Sequence, residues 1–193
     1  MKIVFCSPVT VILVLLIMGL QPWSDVAAQD VKATEPTRYG IAVAGGATYG
    51  RDDISYGLAT GFALFDYDRV WPHRAPEPLR FKVEVSAGST THPFTKFMTS
   101  ANIFALYYLR LLETNVLTPY VEGGIGAIYT DFQVRGQGSR INFNPQIGIG
   151  TDIRVNPKRE LFVAARLHHL SNGGLDHDNR GVNFVLLMLG MYF

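Results

Sequence analysis

Cysteine is almost absent from this sequence. The single cysteine, Cys6, lies in the first segment of the chain, so the remainder has no disulfide framework to support it. An excess of charge of one sign is absent too, because 17 Lys and Arg residues face 16 Asp and Glu residues, for a net charge of +1. This balance gives no indication of a nucleic-acid partner. A long helical period is also lacking from about residue 38 onward, which argues against a mainly helical fold.

The N-terminal segment has the three parts of a secretory signal peptide. Lys2 precedes a mostly apolar run over residues 9–20, and polar residues then lead to the small residues Val26-Ala27-Ala28 before Gln29. The apolar run is short for a membrane-spanning helix, so an uncleaved anchor is the less favoured interpretation. We therefore expect residues 1–28 to be a signal peptide and residues 29–193 to form a single domain.

Alternation of apolar and polar residues takes the place of the helical period in the rest of the chain. It predicts eight strands, each long for a soluble protein and several long enough to cross a bilayer at a tilt. The predicted strands cover residues 38–48, 53–66, 79–90, 97–112, 117–131, 140–154, 160–171 and 181–193.

The third predicted strand shows the two faces most clearly. Its odd-numbered positions from 79 to 87 are apolar, whereas its even-numbered positions are mostly charged. The polar faces carry both signs of charge and several glycines, which suits the narrow, filled interior of a small barrel, so the apolar faces would contact lipid. Buried charges are tolerated when they are paired. We therefore expect an interior charge network drawn from Arg80, Lys82, Glu84, Glu122, Asp152, Arg154 and Arg166.

Closure of the eight strands would remove the unpaired edges that lipid cannot satisfy. The chain stops at Tyr192-Phe193, inside the last predicted strand, and this aromatic ending resembles the assembly signal of bacterial outer-membrane barrels. The sequence thus predicts an all-β fold, an eight-stranded antiparallel transmembrane β-barrel in the bacterial outer membrane. With the N-terminus in the periplasm, the outer loops would span about residues 49–52, 91–96, 132–139 and 172–180.

Two polar residues end the apolar face of the seventh predicted strand. His169 and Ser171 continue the face of Leu161, Val163 and Leu167, while His168 belongs to the opposite face. Residues two apart on one face are close enough for a serine hydroxyl to reach a histidine nitrogen, so the pair is a candidate nucleophile and base. The alternative without catalysis is that the pair marks the point where the strand leaves its apolar environment.

A family resemblance rests on His169-Leu170-Ser171-Asn172, the small residues that follow, and Asn179-Arg180-Gly181 before the last strand. These residues resemble the lipid A 3-O-deacylase family, the PagL-type outer-membrane esterases. The resemblance implies hydrolysis of the 3-linked acyl ester of lipid A in lipopolysaccharide, with no metal and no cofactor. It implies Ser171 as the nucleophile and His169 as its base. It also implies that Asn172 and the Gly173 backbone N–H bind the oxyanion.

The matching position for the family's third catalytic residue, a glutamate, is Asn183. An asparagine carbonyl can orient a histidine but cannot stabilise an imidazolium as a carboxylate does, so we expect a slower enzyme or none. Asp176 and Asp178 in the preceding loop are candidates for the missing carboxylate. Two alternatives stay open: a non-catalytic outer-membrane barrel that retains the family fold, and a secreted lipocalin-like barrel that binds a small apolar ligand. The sequence specifies no oligomeric state.

Overall fold

The computed structural model of this protein describes residues 36–67, 75–157 and 159–193. The predicted signal peptide, residues 1–28, lies outside the described residues, so its boundary stays a prediction. In the part of the chain that is described, no helix is long and apolar enough to cross a membrane.

Extended strands account for most of the described chain. They form where β-branched and aromatic residues alternate with small or polar ones, a pattern that suits a pleated strand with two different environments. A 3₁₀ turn at Arg110–Leu112 follows the fourth strand. The strands are β1 Arg38–Thr48, β2 Ser55–Asp66, β3 Leu79–His92, β4 Phe97–Tyr108, β5 Leu117–Thr130, β6 Ile141–Phe143, β7 Gln146–Asn156, β8 Arg159–Leu170 and β9 Val182–Tyr192.

The sheet closes on itself because its first and last strands meet. β1 pairs with β9 in antiparallel register, with Val43 opposite Leu189, and β4 pairs with β5, with Ile103 opposite Ile125. β6 and β7 both pair with β5, one after the other along its length. Together they occupy one of the eight strand positions of the barrel, here called a stave. The predicted eight-stranded antiparallel barrel is therefore confirmed.

The stave made of β6 and β7 differs from the continuous strand expected over residues 140–154. It is interrupted at Asn144-Pro145 because proline has no N–H to donate to a neighbouring strand. The interruption stays hydrogen-bonded, since the His169 N–H donates to the Pro145 carbonyl at 3.0 Å and the Asn144 N–H donates to the Gly126 carbonyl at 3.0 Å. The fourth strand is also shorter than predicted and ends at Tyr108.

The two faces of each strand have the environments that the alternation predicts. Along β3, Lys82 and Glu84 point into the barrel and are buried, whereas Val83 and Val85 point outward and are exposed, Val85 to 63%. The same arrangement recurs on the other strands, where the large exposed residues are mostly Ile, Val and Leu. An apolar exterior around a charged interior is the arrangement of a barrel that faces lipid.

Four charged residues form a compact group in the centre of the barrel. The Lys82 ammonium lies 3.1 Å from a Glu84 carboxylate oxygen and 2.9 Å from a Glu122 carboxylate oxygen. The Arg166 guanidinium contacts the same two carboxylates, each at 2.7 Å. Two cations and two carboxylates thus compensate one another, which allows all four to stay buried. This part of the predicted network is confirmed.

Two more ion pairs lie in the barrel toward the end that carries the turns after β4 and β7, here called the short-turn end. Arg80 contacts Asp66 at 2.9 Å, and Arg38 contacts Asp152 at 3.0 Å. Arg154, which was expected to join the interior network, is instead exposed at the end of β7, where its guanidinium donates to the Asn115 carbonyl at 3.4 Å. That expectation is wrong because the strand has already left the barrel interior at residue 154.

Exposed aromatic side chains mark both ends of the apolar wall. On β4, Phe97 and Tyr107 lie ten residues apart, which corresponds to about 25 Å of depth at the rise and tilt typical of membrane barrels. Such girdles are characteristic of the two membrane interfaces. The opposite end, here called the long-loop end, carries the loops after β1, β3, β5 and β8. Its girdle includes Tyr49, Phe97 and Phe143. The girdle at the short-turn end includes Tyr39, Tyr107 and Phe193.

Removing one cation from the central group should destabilise the barrel. In Arg166→Ala, two buried carboxylates would share Lys82 alone, so we expect the free energy of unfolding to fall by about 3–5 kcal/mol. Urea unfolding of protein refolded in lipid vesicles measures this loss. The matched control is Arg154→Ala at the exposed end of β7, which should change the free energy by less than about 0.5 kcal/mol. Equal stability of the two variants would contradict the role of the central group.

Candidate active site

His169 and Asn183 face each other across β8 and β9. The two residues are directly opposite in the strand register, and His169 Nδ1 lies 2.6 Å from Asn183 Oδ1. An amide oxygen only accepts hydrogen bonds, so the imidazole must carry its proton on Nδ1. Nε2 is then unprotonated and has a lone pair available to accept a proton. The hydrogen bond to Asn183 Oδ1 thus favours the tautomer in which Nε2 is unprotonated.

Ser171 lies two residues beyond His169, where β8 passes into the loop. Its backbone forms an isolated bridge with Phe143: the Phe143 N–H donates to the Ser171 carbonyl at 2.8 Å, and the Ser171 N–H donates to the Phe143 carbonyl at 3.2 Å. The bridge extends the strand alternation past the end of β8. Ser171 therefore stays on the outward face with His169, and both side chains are partly exposed.

The height of the site in the wall follows from its neighbours. Phe143, which bridges Ser171, belongs to the girdle at the long-loop end, and the Tyr49 N–H donates to the Asn183 carbonyl at 3.1 Å. The three candidate catalytic residues therefore lie level with one aromatic girdle. At that level the surroundings change from hydrocarbon to lipid headgroups.

His168 points into the barrel and lies apart from the site. It is buried, its Nδ1 is 3.2 Å from the Tyr56 hydroxyl, and its ring packs against Phe184 with the centroids 5.5 Å apart. The alternation predicted this inward direction. Two adjacent histidines thus have different environments because the strand period is two.

Asn172 organises the loop between β8 and β9. Its side-chain amide donates to the Gln137 carbonyl at 3.1 Å and to the Asp178 carbonyl at 2.8 Å, and its Oδ1 accepts from the Gly174 N–H at 2.9 Å. Its backbone N–H donates to Asn179 Oδ1 at 2.9 Å. All the donors of Asn172 are therefore used within the protein. Its predicted oxyanion role would require one of these bonds to be exchanged for a bond to substrate.

Gly173 is the second residue expected to bind the oxyanion. Its φ is +66°, in the left-handed region, and a Cβ there would lie 3.0 Å from the Phe143 ring. Backbone conformation and close packing both favour glycine at this position. Within the described residues, the Gly173 N–H has no hydrogen-bond partner. It is therefore the donor best placed to be free for a ligand.

The two loop carboxylates that were candidates for the missing carboxylate make their contacts within the loop. Asp176 accepts a hydrogen bond from the Asp178 N–H at 3.0 Å, and Asp178 lies 3.6 Å from the exposed ring of His177. The hydrogen bond of His169 is to Asn183 instead. Throughout residues 36–67, 75–157 and 159–193, no group of three His, Cys, Asp or Glu side chains is arranged to hold a metal ion.

Two residues near the site received no individual role in the sequence analysis. Gly181 lies against the His169 ring, and Asn179 holds the Asn172 backbone. Both belong to the segment Asn179-Arg180-Gly181 that carries the family resemblance. The sequence feature that could have indicated a role is Gly181, a glycine directly before β9.

Comparison with known proteins shows the family of this chain. The family model described as lipid A 3-O-deacylase (PagL) matches residues 54–192. The chain belongs to the lipid A 3-O-deacylase family. Among solved structures, the outer membrane enzyme PagL is similar with a TM-score of 0.56 and 25% identity, over 78% of this chain and 97% of that one. The curated proteins contain no match.

A second structural relative supports the fold alone. Neisserial surface protein A has a TM-score of 0.62 and 14% identity, over 83% of this chain and 98% of that one. Family membership, the apolar exterior and the aromatic girdles together make this deacylase-family protein an outer-membrane β-barrel. The outer face of the strands is apolar and the paired charges lie inside, whereas a lipocalin-like barrel keeps its charged side chains on the outer face.

Loss of the Asn172 side chain should loosen the loop of residues 171–181. Asn172→Ala removes three hydrogen bonds that join this loop to itself and to Gln137. We expect tryptic cleavage after Arg180 to become about tenfold faster, the factor for about 1.4 kcal/mol of lost local stability. Leu175→Ala in the same loop is the matched control because the Leu175 side chain is exposed. Unchanged cleavage of Asn172→Ala would contradict this role.

Proposed function

We propose that this protein hydrolyses the 3-O-linked acyl ester of lipid A through a serine–histidine mechanism. The observation that carries the proposal is the 2.6 Å hydrogen bond between His169 and Asn183, with Ser171 on the same outward face. Membership of the lipid A 3-O-deacylase family supports the substrate. The proposal assigns Ser171 as the nucleophile, His169 as the general base and Asn183 as the residue that orients the imidazole.

The reaction proceeds in two halves. Ser171 Oγ attacks the ester carbonyl carbon while its proton passes to His169 Nε2. The tetrahedral intermediate collapses, the oxygen at the 3-position of lipid A leaves, and that oxygen takes the proton from His169. Water then attacks the acyl–serine ester and gives a proton to His169, which returns it to Ser171 Oγ as the fatty acid departs. No cofactor enters either half.

The oxyanion of each tetrahedral intermediate needs a hydrogen-bond donor. The Gly173 backbone N–H is the proposed donor because it has no partner within the described residues and lies two positions from Ser171. Asn172 supports it by holding the loop, since its Oδ1 binds the Gly174 N–H. A direct bond from Asn172 to the oxyanion would require its amide to release Gln137 or Asp178.

The outward direction of the site suits a substrate that stays in the membrane. The barrel interior is filled by ion pairs and aromatic side chains, so a lipid could not enter it readily. On the outside, Leu167 and Val185 continue the wall below the site and are exposed to lipid. An acyl chain can lie along this wall while its ester, at headgroup level, meets Ser171.

The neutral Asn183 favours one competing function. A carboxylate would stabilise the imidazolium that forms during attack, whereas an amide oxygen only orients the ring. The proposed enzyme is therefore slower than one with glutamate at this position. If orientation alone is insufficient, the chain is a non-catalytic outer-membrane barrel that retains the family fold.

Removal of either proposed catalytic side chain should abolish deacylation. Ser171→Ala removes the attacking oxygen, and His169→Ala removes its base, so both should lower the rate to a similar degree because the two residues act as a unit. The measurement is release of the 3-linked acyl chain from lipid A by purified protein in detergent, followed by mass spectrometry. His177→Ala, with its ring in the exposed loop, is the control and should retain the parental rate. Full activity of Ser171→Ala would refute the site assignment.

Restoring a carboxylate at residue 183 should increase the rate. In Asn183→Glu the added charge would stabilise the imidazolium, and we expect kcat to rise by about tenfold or more. Asn183→Gln, which lengthens the side chain without adding charge, is the matched control and should not raise kcat. An inactive parent together with an active Asn183→Glu variant would support the non-catalytic alternative. A kcat lower in Asn183→Glu than in the parent would contradict the orienting role.

A further inference from the structure

The start of β9 has no side chain at the point where the His169 ring lies. A Cβ added to Gly181 would come within 2.4 Å of His169 Cε1 and 2.8 Å of His169 Nε2. Both distances are shorter than real Cβ contacts, so the imidazole occupies the space that a side chain would fill. Gly181 is not among the glycines with positive φ, so its backbone conformation does not require glycine. Glycine is needed at residue 181 because the His169 ring lies against it.

Arg180 fastens Gly181 to the neighbouring outer loops. Its backbone N–H donates to the Gly136 carbonyl at 2.7 Å, and its guanidinium contacts the Asp52 carboxylate at 2.7 Å. The guanidinium also donates to the Arg135 carbonyl at 3.3 Å. The residue preceding Gly181 is thus tied to the loop after β1 and to the loop after β5. Movement of Gly181 away from His169 would break these bonds.

We infer that Gly181 is a positioning residue for His169. The hydrogen bond from Nδ1 to Asn183 directs one side of the ring, and contact with Gly181 limits where the Cε1–Nε2 edge can lie. Arg180, held by Asp52, keeps Gly181 at the depth where that contact forms. The catalytic consequence rests on the proposed function, but the effect on the ring itself does not.

The position of Nε2 matters because proton transfer depends steeply on geometry. A displacement of about 1 Å in a catalytic group can cost about a hundredfold in rate. A methyl group at residue 181 would require a shift of at least that order to restore ordinary contact with the ring. The shift would act on the chemical step and leave the apolar wall that contacts the acyl chain unchanged.

Kinetics of Gly181→Ala test the inference in detergent with the mature protein. We expect kcat to fall by about tenfold to a hundredfold while KM changes by less than about twofold. Gly61→Ala is the matched control because a Cβ at Gly61 would meet nothing within 4 Å. It adds the same methyl group to another part of the barrel and should retain the parental kcat. Heat-modifiable migration on gels establishes that each variant has folded.

Nitrogen NMR of the histidine side chains provides a readout that does not depend on activity. The His169 signals, assigned by comparison with His169→Ala, should shift in Gly181→Ala and remain unchanged in Gly61→Ala. An inactive parent with this shift would refute the proposed function and support the positioning role. Gly181→Ala with parental kcat and unshifted His169 signals would overturn the inference.

A second pair of variants keeps the inference testable if Gly181→Ala does not fold. Asp52→Ala removes the carboxylate that holds Arg180, and Asp53→Ala is its control because the Asp53 side chain is 90% exposed and contacts His92 instead. We expect Asp52→Ala to shift the His169 signals and to lower kcat less than Gly181→Ala would. In that case, His169 signals and kcat identical in Asp52→Ala and Asp53→Ala would overturn the inference.

Discussion

A sheet embedded in lipid has no water to satisfy an unpaired strand edge, and the rest of this structure depends on that constraint. Its solution is closure, with β1 against β9 and β4 against β5. Closing only eight strands produces a narrow interior that side chains fill through its centre. The charges enclosed there must compensate one another, as Lys82, Arg166, Glu84 and Glu122 do. The outward face of the strands carries exposed apolar residues, which face the membrane.

Because side chains fill the interior, the proposed active site lies on the outer wall of the barrel. β8 contributes side chains to both faces of that wall: Arg166 and His168 point into the barrel, and His169 points outward. The inward residues stabilise the strand, and the outward ones face the lipid. A substrate anchored in the membrane can then approach from the side and need not be extracted. This arrangement explains how a barrel without an open lumen can act on a lipid.

In the proposed mechanism, the pairing of His169 with Asn183 separates two tasks that a catalytic carboxylate performs together. Asn183 selects the tautomer and holds the ring, but it supplies no charge to the imidazolium. The loop of residues 171–181 is held at both ends, by the hydrogen bonds of Asn172 and by the contact of Arg180 with Asp52 in the loop after β1. These contacts hold the geometry of the site, and in the proposed mechanism residue 183 sets the rate that this geometry sustains.

The sequence alone determined which residues face inward, because strand alternation is a local property with a period of two. It therefore predicted the strand number, the lipid-facing wall, the opposite directions of His168 and His169, and most of the interior charges. It did not predict the exposure of Arg154 or the interruption at Pro145, because the ends of strands depend on neighbouring strands. Only the tertiary structure placed Asn183 opposite His169, Gln137 against Asn172 and Gly181 against the imidazole. These contacts join separate segments, so they are decided by the register that barrel closure imposes.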